Sequence, residues 1–183
     1  MSNSTTWVID PMHSEILFKI RHLVISTVTG SFRKFEGKVI TDGPDFNNAK
    51  VSLTIDVKSV DTNQAQRDGH LQSGDFFEAD KYPEISFEST SFASKDESNY
   101  LMTGNLTMKG VTKQVELNVE HGGSEDNGHG VIKHGFEVTG TVNRKEFGMS
   151  WNKLTDTGGL GLGEDIKLIA NIQVAELVET AAV

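Results

Sequence analysis

Residues 50–58 read KVSLTIDVK, and this stretch carries the clearest structural signal in the chain. Its apolar residues occupy every second position: Val51, Leu53, Ile55 and Val57. In an extended strand this spacing turns all of them to one face, while Ser52 and Thr54 face the other way. A strand with one apolar face is typical of an antiparallel sheet, in which one side packs on a core and the other meets water. The stretch therefore predicts an antiparallel β domain.

The same alternation recurs on both sides of this stretch. In residues 14–22 it places Ile16, Phe18, Ile20 and His22 on one face. Similar patterns follow in residues 85–89, 100–108, 115–119, 136–142 and 166–174. Residues 26–41 are rich in β-branched and aromatic residues but contain Gly30 and Gly37, which predicts one long bent strand or a hairpin. The total is about eight strands, mostly in a meander.

One segment departs from the strand pattern. From Asp61 to Tyr82 the alternation is lost, and Thr62 is a residue type that can cap a helix. Pro83 cannot continue a helix and is expected to end it. We therefore predict a short helical insertion over about residues 62–80, the only helical segment that the sequence suggests.

These elements predict an all-β fold, an eight-stranded antiparallel barrel with a short helical insertion. Closing the sheet removes its exposed edges and leaves room for a small ligand inside. A sandwich of two sheets is the alternative. The length of 183 residues fits a single domain, 1–183, with residues 1–5 and 179–183 expected to be flexible tails.

Composition excludes several kinds of protein. The net charge of −9 makes nucleic acid and anionic surfaces unfavourable partners on average. The absence of cysteine excludes disulfides, thiolate catalysis and Cys-ligated metals. The amino terminus lacks the apolar run of a secretory signal, so we expect a cytoplasmic protein, or a periplasmic one if a signal peptide has been removed. No apolar stretch reaches 18 residues, so no integral membrane segment is expected.

Five sequence clusters stand out: WxID and HS within residues 7–14, RDGHLQSGDFF in 67–77, YPEISFEST in 82–90, GNLTMKGVTK in 104–113 and RKEFG in 144–148. Together they resemble the YceI-like family, and they occur in that family's order. The resemblance spans about residues 6 to 178. Each cluster alone would be a weak signal, but five in the same order are poorly explained by chance.

The resemblance implies a lipocalin-like barrel, extended and bent, with its helical insertion near an open end. It also implies an elongated channel for a polyisoprenoid or an isoprenoid quinone. Homodimers are common in the family, so a homodimer is expected here. Many members are periplasmic.

Candidate ligand-binding residues follow from the alternation and from the second cluster. The residues expected to face the channel are Phe18, Ile20, His22, Leu53, Ile55, Phe87 and Phe136. Arg67 and His70 share a helix face and are candidates for a polar head group, together with Asp68. The alternative for Arg67 and Asp68 is a structural role that ties the insertion to a neighbouring strand.

Other polar residues are expected to be structural. Arg144 is interpreted as a strand-end arginine that pairs with a carboxylate. His121, His129 and His134 flank or occupy a glycine-rich loop at residues 120–130, and we predict no metal there.

The predicted function is binding and carriage or storage of a long apolar isoprenoid, either a polyprenyl phosphate or pyrophosphate or an isoprenoid quinone. No cofactor other than this ligand and no catalytic residue is expected. One alternative is a stress-related scavenger of diverse apolar molecules, which needs the same cavity with looser selection. A less favoured alternative is an enzyme that acts on an isoprenoid and uses His22 or His70 for proton transfer.

Overall fold

The computed structural model describes residues 3–23, 25–153 and 161–178. Strands dominate these residues, and the α-helix among them, α1, covers Ala65–Gln72. Single 3-10 turns lie at Pro11–His13, Val57–Ser59 and Arg144–Phe147. The strands are β1 Thr5–Ile9, β2 Glu15–His22, β3 Ser26–Phe32, β4 Phe35–Thr41, β5 Lys50–Asp56, β6 Val60–Asp61, β7 Glu84–Ser94, β8 Asn99–Met108, β9 Val111–Asp126, β10 Ile132–Asn143 and β11 Asp165–Glu176.

Eight of the strands close into an antiparallel barrel. The ring runs β1, β4, β5, β7, β8, β9, β10, β11, and β11 returns to pair with β1. From β7 to β11 each strand pairs with the next one in sequence, which is the expected meander. The prediction of an all-β, eight-stranded antiparallel barrel with a short helix is confirmed. A two-sheet sandwich is excluded because the sheet closes on itself.

The remaining strands lengthen the barrel at one end. β2 pairs with residues 167–171 of β11, shortly before residues 174–176, which pair with β1. β3 pairs with β2 and β6, whereas β4 pairs with β1 and β5. Three pairs of consecutive strands therefore each act as one long interrupted strand: β1 with β2, β3 with β4, and β5 with β6. We call the end formed by β2, β3, β6 and α1 the open end, and the opposite end, covered by residues 42–49, the closed end.

Residues 26–41 form the bent strand and not the hairpin, because β3 and β4 have different partners on both sides. Gly30 permits a close approach, as a Cβ atom there would lie 2.2 Å from Cζ of Phe18. The ring of Phe18 therefore lies directly over the backbone of β3.

The helical insertion is shorter than predicted. The helix begins at Ala65 with Gln64 in the N-cap position, so Thr62 is not the cap. It ends at Gln72 and not at Pro83, because the chain folds back there: the backbone N–H of Phe77 donates to the carbonyl of Leu71. Turns fill most of the rest of the segment up to residue 82.

Three other expectations need correction or limits. The predicted loop at residues 120–130 is mostly strand, since β9 continues to Asp126 through a register shift opposite Gly135. The strand β1 was not predicted, because five residues are too few for a clear alternation. Of the expected tails, Thr5 belongs to β1, while residues 1–2 and 179–183 lie outside the described residues. Among the residues that the structure describes, no helix is long and apolar enough to cross a membrane.

Candidate functional site

The barrel encloses an apolar cavity of about 400 Å³. This volume lies within the range of ligand pockets in proteins, roughly 300–1,000 Å³. Carbon atoms make up almost all of its surface. At the closed end the lining residues are buried, among them Phe46 and Val174, whereas at the open end His22 and Trp151 are exposed to solvent. The cavity therefore opens at one end of the barrel.

The inward faces of the strands build the cavity wall. Every apolar candidate from the sequence lines it: Phe18, Ile20, Leu53, Ile55, Phe87 and Phe136. They lie on β2, β5, β7 and β10, and the alternation of each strand turns them inward. Contact of these residues with a ligand stays a prediction.

Two histidines lie at the open end. His22 is the last residue of β2 and forms an isolated bridge with Leu162. His70 lies on α1, where its Nε2 is 2.9 Å from Oδ2 of Asp75 and its ring contacts the ring of Trp151 edge-on at 4.6 Å. Both histidines line the cavity, so the structure brings together head-group candidates from two distant parts of the chain.

Arg67 and Asp68 hold α1 to Thr62, which lies three residues before the helix begins. Asp68 accepts hydrogen bonds from the backbone N–H and the hydroxyl of Thr62, at 2.8 and 2.6 Å. Arg67 donates to the hydroxyl and the carbonyl of the same threonine, at 2.8 and 2.6 Å. Arg67 and Thr62 line the cavity, but Asp68 does not. These hydrogen bonds agree with a structural role for both residues, although their partner Thr62 follows β6 and is not itself part of a strand. Contact of Arg67 or Asp68 with a ligand stays a prediction.

Arg144 is a buried residue that holds two backbone segments together at the open end. Its side chain is 2% exposed and donates to the carbonyls of Met149 and Trp151 at 2.6 and 2.7 Å, and to that of Gly163 at 2.8 Å. Its hydrogen-bond partners are thus backbone carbonyls, while the carboxylate of Glu164 interacts with it electrostatically. Burial lowers the pKa of the guanidinium, and the charge of Glu164 opposes this shift. Arg144 joins the segment after β10 to the segment before β11, and with them one side of the opening.

Sequence reasoning missed a cluster of rings at the closed end. Nε2 of His121 and Nδ1 of His134 share a hydrogen bond of 2.8 Å. The ring of His134 meets those of Trp7 and Phe46 edge-on at 4.7 and 4.8 Å. Phe46 is buried, although it stands in the polar turn DGPDFNN, and a lone aromatic residue in such a turn was the available signal.

Burial lowers the pKa of both histidines of this pair, and for His134 the neighbouring His121 lowers it further. The lowered pKa disfavours the charged form of both imidazoles. Among the described residues no group of three or more His, Asp or Glu side chains could hold a metal ion. The pair and its aromatic neighbours form a plug of rings behind the cavity.

Known proteins share both the sequence pattern and the barrel. The YceI-like domain family matches residues 7–174. A UPF0312 protein of Staphylococcus aureus is 38% identical over 170 residues, covering 92% of this chain and 96% of its own.

Two solved structures share the fold. The Campylobacter jejuni YceI protein is 36% identical with a TM-score of 0.73, covering 88% of this chain and 91% of its own. A polyisoprenoid-binding domain from Saccharophagus degradans has a TM-score of 0.67 at 16% identity, covering 93% of this chain and 98% of its own. The matched family domain includes the whole cavity wall from β1 to β11. This chain therefore belongs to the YceI-like family.

Proposed function

We propose that this protein binds and carries or stores a long isoprenoid lipid, with the tail inside the barrel and the head group at the open end. The observation that carries the proposal is the cavity, whose walls are apolar. Among its lining residues that the structure describes, the exposed ones lie at the open end. Burial of each methylene group contributes about 0.8 kcal/mol before ordering costs, so several isoprene units provide ample affinity. The Saccharophagus degradans domain with this fold is itself described as polyisoprenoid-binding.

A neutral head group fits the open end better than a phosphate or pyrophosphate. A pyrophosphate needs several charge-assisted donors. Arg144 already donates to backbone carbonyls, and Arg67 donates two of its N–H groups to Thr62. A quinone needs only one or two donors; His22 can supply one, whereas the Nε2–H of His70 already donates to Asp75. We therefore propose an isoprenoid quinone, or a similarly neutral isoprenoid, as the preferred ligand.

The direct test is to extract freshly purified protein with organic solvent and to identify the released molecule by mass spectrometry. We expect one isoprenoid per chain, with a neutral head group. Repeated extraction without any stoichiometric apolar molecule would contradict the proposal, and a polyprenyl phosphate would contradict the choice of head group.

A pair of variants on one strand links this result to the cavity. Ala170 lines the cavity, whereas Ala175 lies an odd number of residues away on β11 and faces outward. Ala170→Phe fills part of the cavity and should lower the lipid content of the purified protein severalfold, while Ala175→Phe should leave it unchanged. Equal lipid content in the two variants would place the ligand outside the barrel.

The carbon lining also favours a second function, a scavenger of diverse apolar molecules. A wall whose surface is almost entirely carbon selects chiefly by shape and apolarity. Competition binding separates the two functions: a carrier should prefer isoprenoids to fatty acids and polycyclic probes of equal hydrophobicity, whereas a scavenger should bind all of them similarly. Neither function includes a catalytic step, and turnover of a bound isoprenoid that is lost in His70→Ala would revive the enzyme alternative.

A further inference from the structure

The hairpin of β2 and β3 ends in an apolar tip beside the opening of the cavity. Leu23 is 45% exposed and Ile25 is 85% exposed, and Trp151 is 36% exposed on the rim nearby. The backbone N–H of Leu23 donates to the carbonyl of Gly161, which in turn is followed by the cavity residue Leu162. The exposed apolar side chains are therefore grouped where cargo enters and leaves.

The tip keeps a leucine at a position that disfavours it. Leu23 has a φ of 54°, in the left-handed region that favours glycine and asparagine. Such a conformation is costly for a branched side chain and persists where the surroundings or the function require it. Here it holds an apolar side chain that is only partly covered, so burial compensates only part of the cost.

The charge of the hairpin is opposite to that of the chain as a whole. Residues 16–35 contain no acidic residue, whereas the chain as a whole has a net charge of −9. The basic residues near the tip are Lys19 and Arg21, whereas Arg33, which pairs with Asp61, and Lys34 lie at the other end of β3. Lys19 also lies directly opposite Lys167 of β11, although like charges in such pairs are destabilising. At physiological ionic strength fields decay within about 8 Å, so the charges on this part of the hairpin, and not the average charge of the chain, act on a surface nearby.

We propose that the tip of the β2–β3 hairpin docks on an anionic lipid bilayer, with Leu23 and Ile25 inserted among the lipids and Trp151 at the interface. The proposal rests on the proposed function, because a long apolar cargo could then pass between bilayer and cavity without crossing water. Exposed apolar side chains beside basic ones are the combination that binds peripheral proteins to such surfaces. Tryptophan is enriched at the level of the lipid head groups.

The test is flotation of the purified full-length protein with vesicles of phosphatidylcholine, with and without phosphatidylglycerol. We expect binding to the anionic vesicles, and Leu23→Asn/Ile25→Ser should weaken it about tenfold or more through the lost apolar burial. Asparagine suits the left-handed conformation at position 23, so folding is preserved. Met12→Ser is the matched control, because Met12 is 86% exposed but lies between β1 and β2, away from the tip; its binding should equal that of the wild type.

A second variant tests the charge: Lys19→Gln/Arg21→Gln should reduce binding to anionic vesicles and leave binding to neutral ones unchanged. Wild-type protein that binds neither kind of vesicle, or a tip variant that binds like the wild type, would overturn the proposal. So would a tip that instead holds two copies of the chain together, seen as a dimer that Leu23→Asn/Ile25→Ser dissociates without any change in vesicle binding. Solvent extraction of each variant measures its lipid content separately, so loss of docking with retained lipid leaves the proposed function intact.

Discussion

The two ends of the barrel are built from continuous strands but differ in what covers them. At the closed end the buried rings of Trp7 and Phe46 and the half-buried rings of His121 and His134 fill the space. At the open end the covering consists of α1 and the segments held by Arg144, and apolar side chains there remain exposed. Packing thus closes one end, whereas a polar framework of hydrogen bonds holds the other end open.

The largest effect is expected at Arg144. In Arg144→Met the carbonyls of Met149, Trp151 and Gly163 lose their donor in a buried setting. Loss of one side of a buried charged network costs about 3–5 kcal/mol of unfolding free energy. Urea denaturation measures this value. Arg33→Met is the control, because the ion pair of Arg33 with Asp61 is exposed and should contribute under about 1 kcal/mol. Similar losses for the two variants would contradict the framework proposed for the open end.

The second largest loss of unfolding free energy is expected when the aromatic plug at the closed end is truncated. Phe46→Ala removes a ring that contacts Trp7, His121, His134 and Phe136. A cavity of this kind lowers the unfolding free energy by about 3–4 kcal/mol. Phe46→Leu retains most of the volume and should cost about half as much. If Phe46→Ala unfolds like the wild type in urea, the ring cluster does not close the barrel by packing.

The histidine pair should make stability depend on pH. Burial lowers the pKa of His121 and His134 in the folded state, so the unfolded chain binds protons more readily. Their contribution to stability is complete above the ordinary histidine pKa of about 6.5, and it is lost as the pH falls below that value and through the folded pKa. The urea concentration at the midpoint of denaturation should therefore decrease as the pH is lowered from about 7.5 to about 5.

The double variant His121→Gln/His134→Gln should show a smaller fall in this midpoint, because it has no imidazole to charge. His129→Gln serves as the control, as His129 is exposed in the turn after β9, and it should behave like the wild type. An unchanged pH dependence in the double variant would assign the acid sensitivity to other groups.

The smallest effect, and the only gain, is expected in α1. Gly69 is exposed within the helix, and a Cβ atom there meets nothing within 4 Å. Gly69→Ala should therefore raise the unfolding free energy by about 0.5–1 kcal/mol. Gly104→Ala is the contrast in the barrel wall, where a Cβ atom would lie 2.4 Å from the Phe87 ring and 2.5 Å from the carbonyl oxygen of Glu88. Gly104→Ala should lower the unfolding free energy by about 1–3 kcal/mol. An increase would show that the wall is packed less tightly than in the structure.

The sequence alone determined the elements whose signal is local. Alternation along one strand depends only on that strand, so residues 51–57 and 16–22 predicted both the fold class and the inward residues such as Phe18 and Leu53. The apolar candidates therefore lie on the cavity wall as expected. The five clusters similarly identified the family, which the comparisons confirm.

Tertiary structure decided what depends on residues far apart in the chain. Asp68 shares its sequence cluster with Arg67, but only the folded chain turns it toward Thr62 and away from the cavity. Arg144 donates to backbone carbonyls because two later segments, at Met149 and at Gly163, converge around its side chain. His121 and His134 meet because β9 and β10 pair in a register that sets His121 opposite Phe136, two residues from His134. Pairing register and the closure of the ring are long-range properties, and no local pattern encodes them.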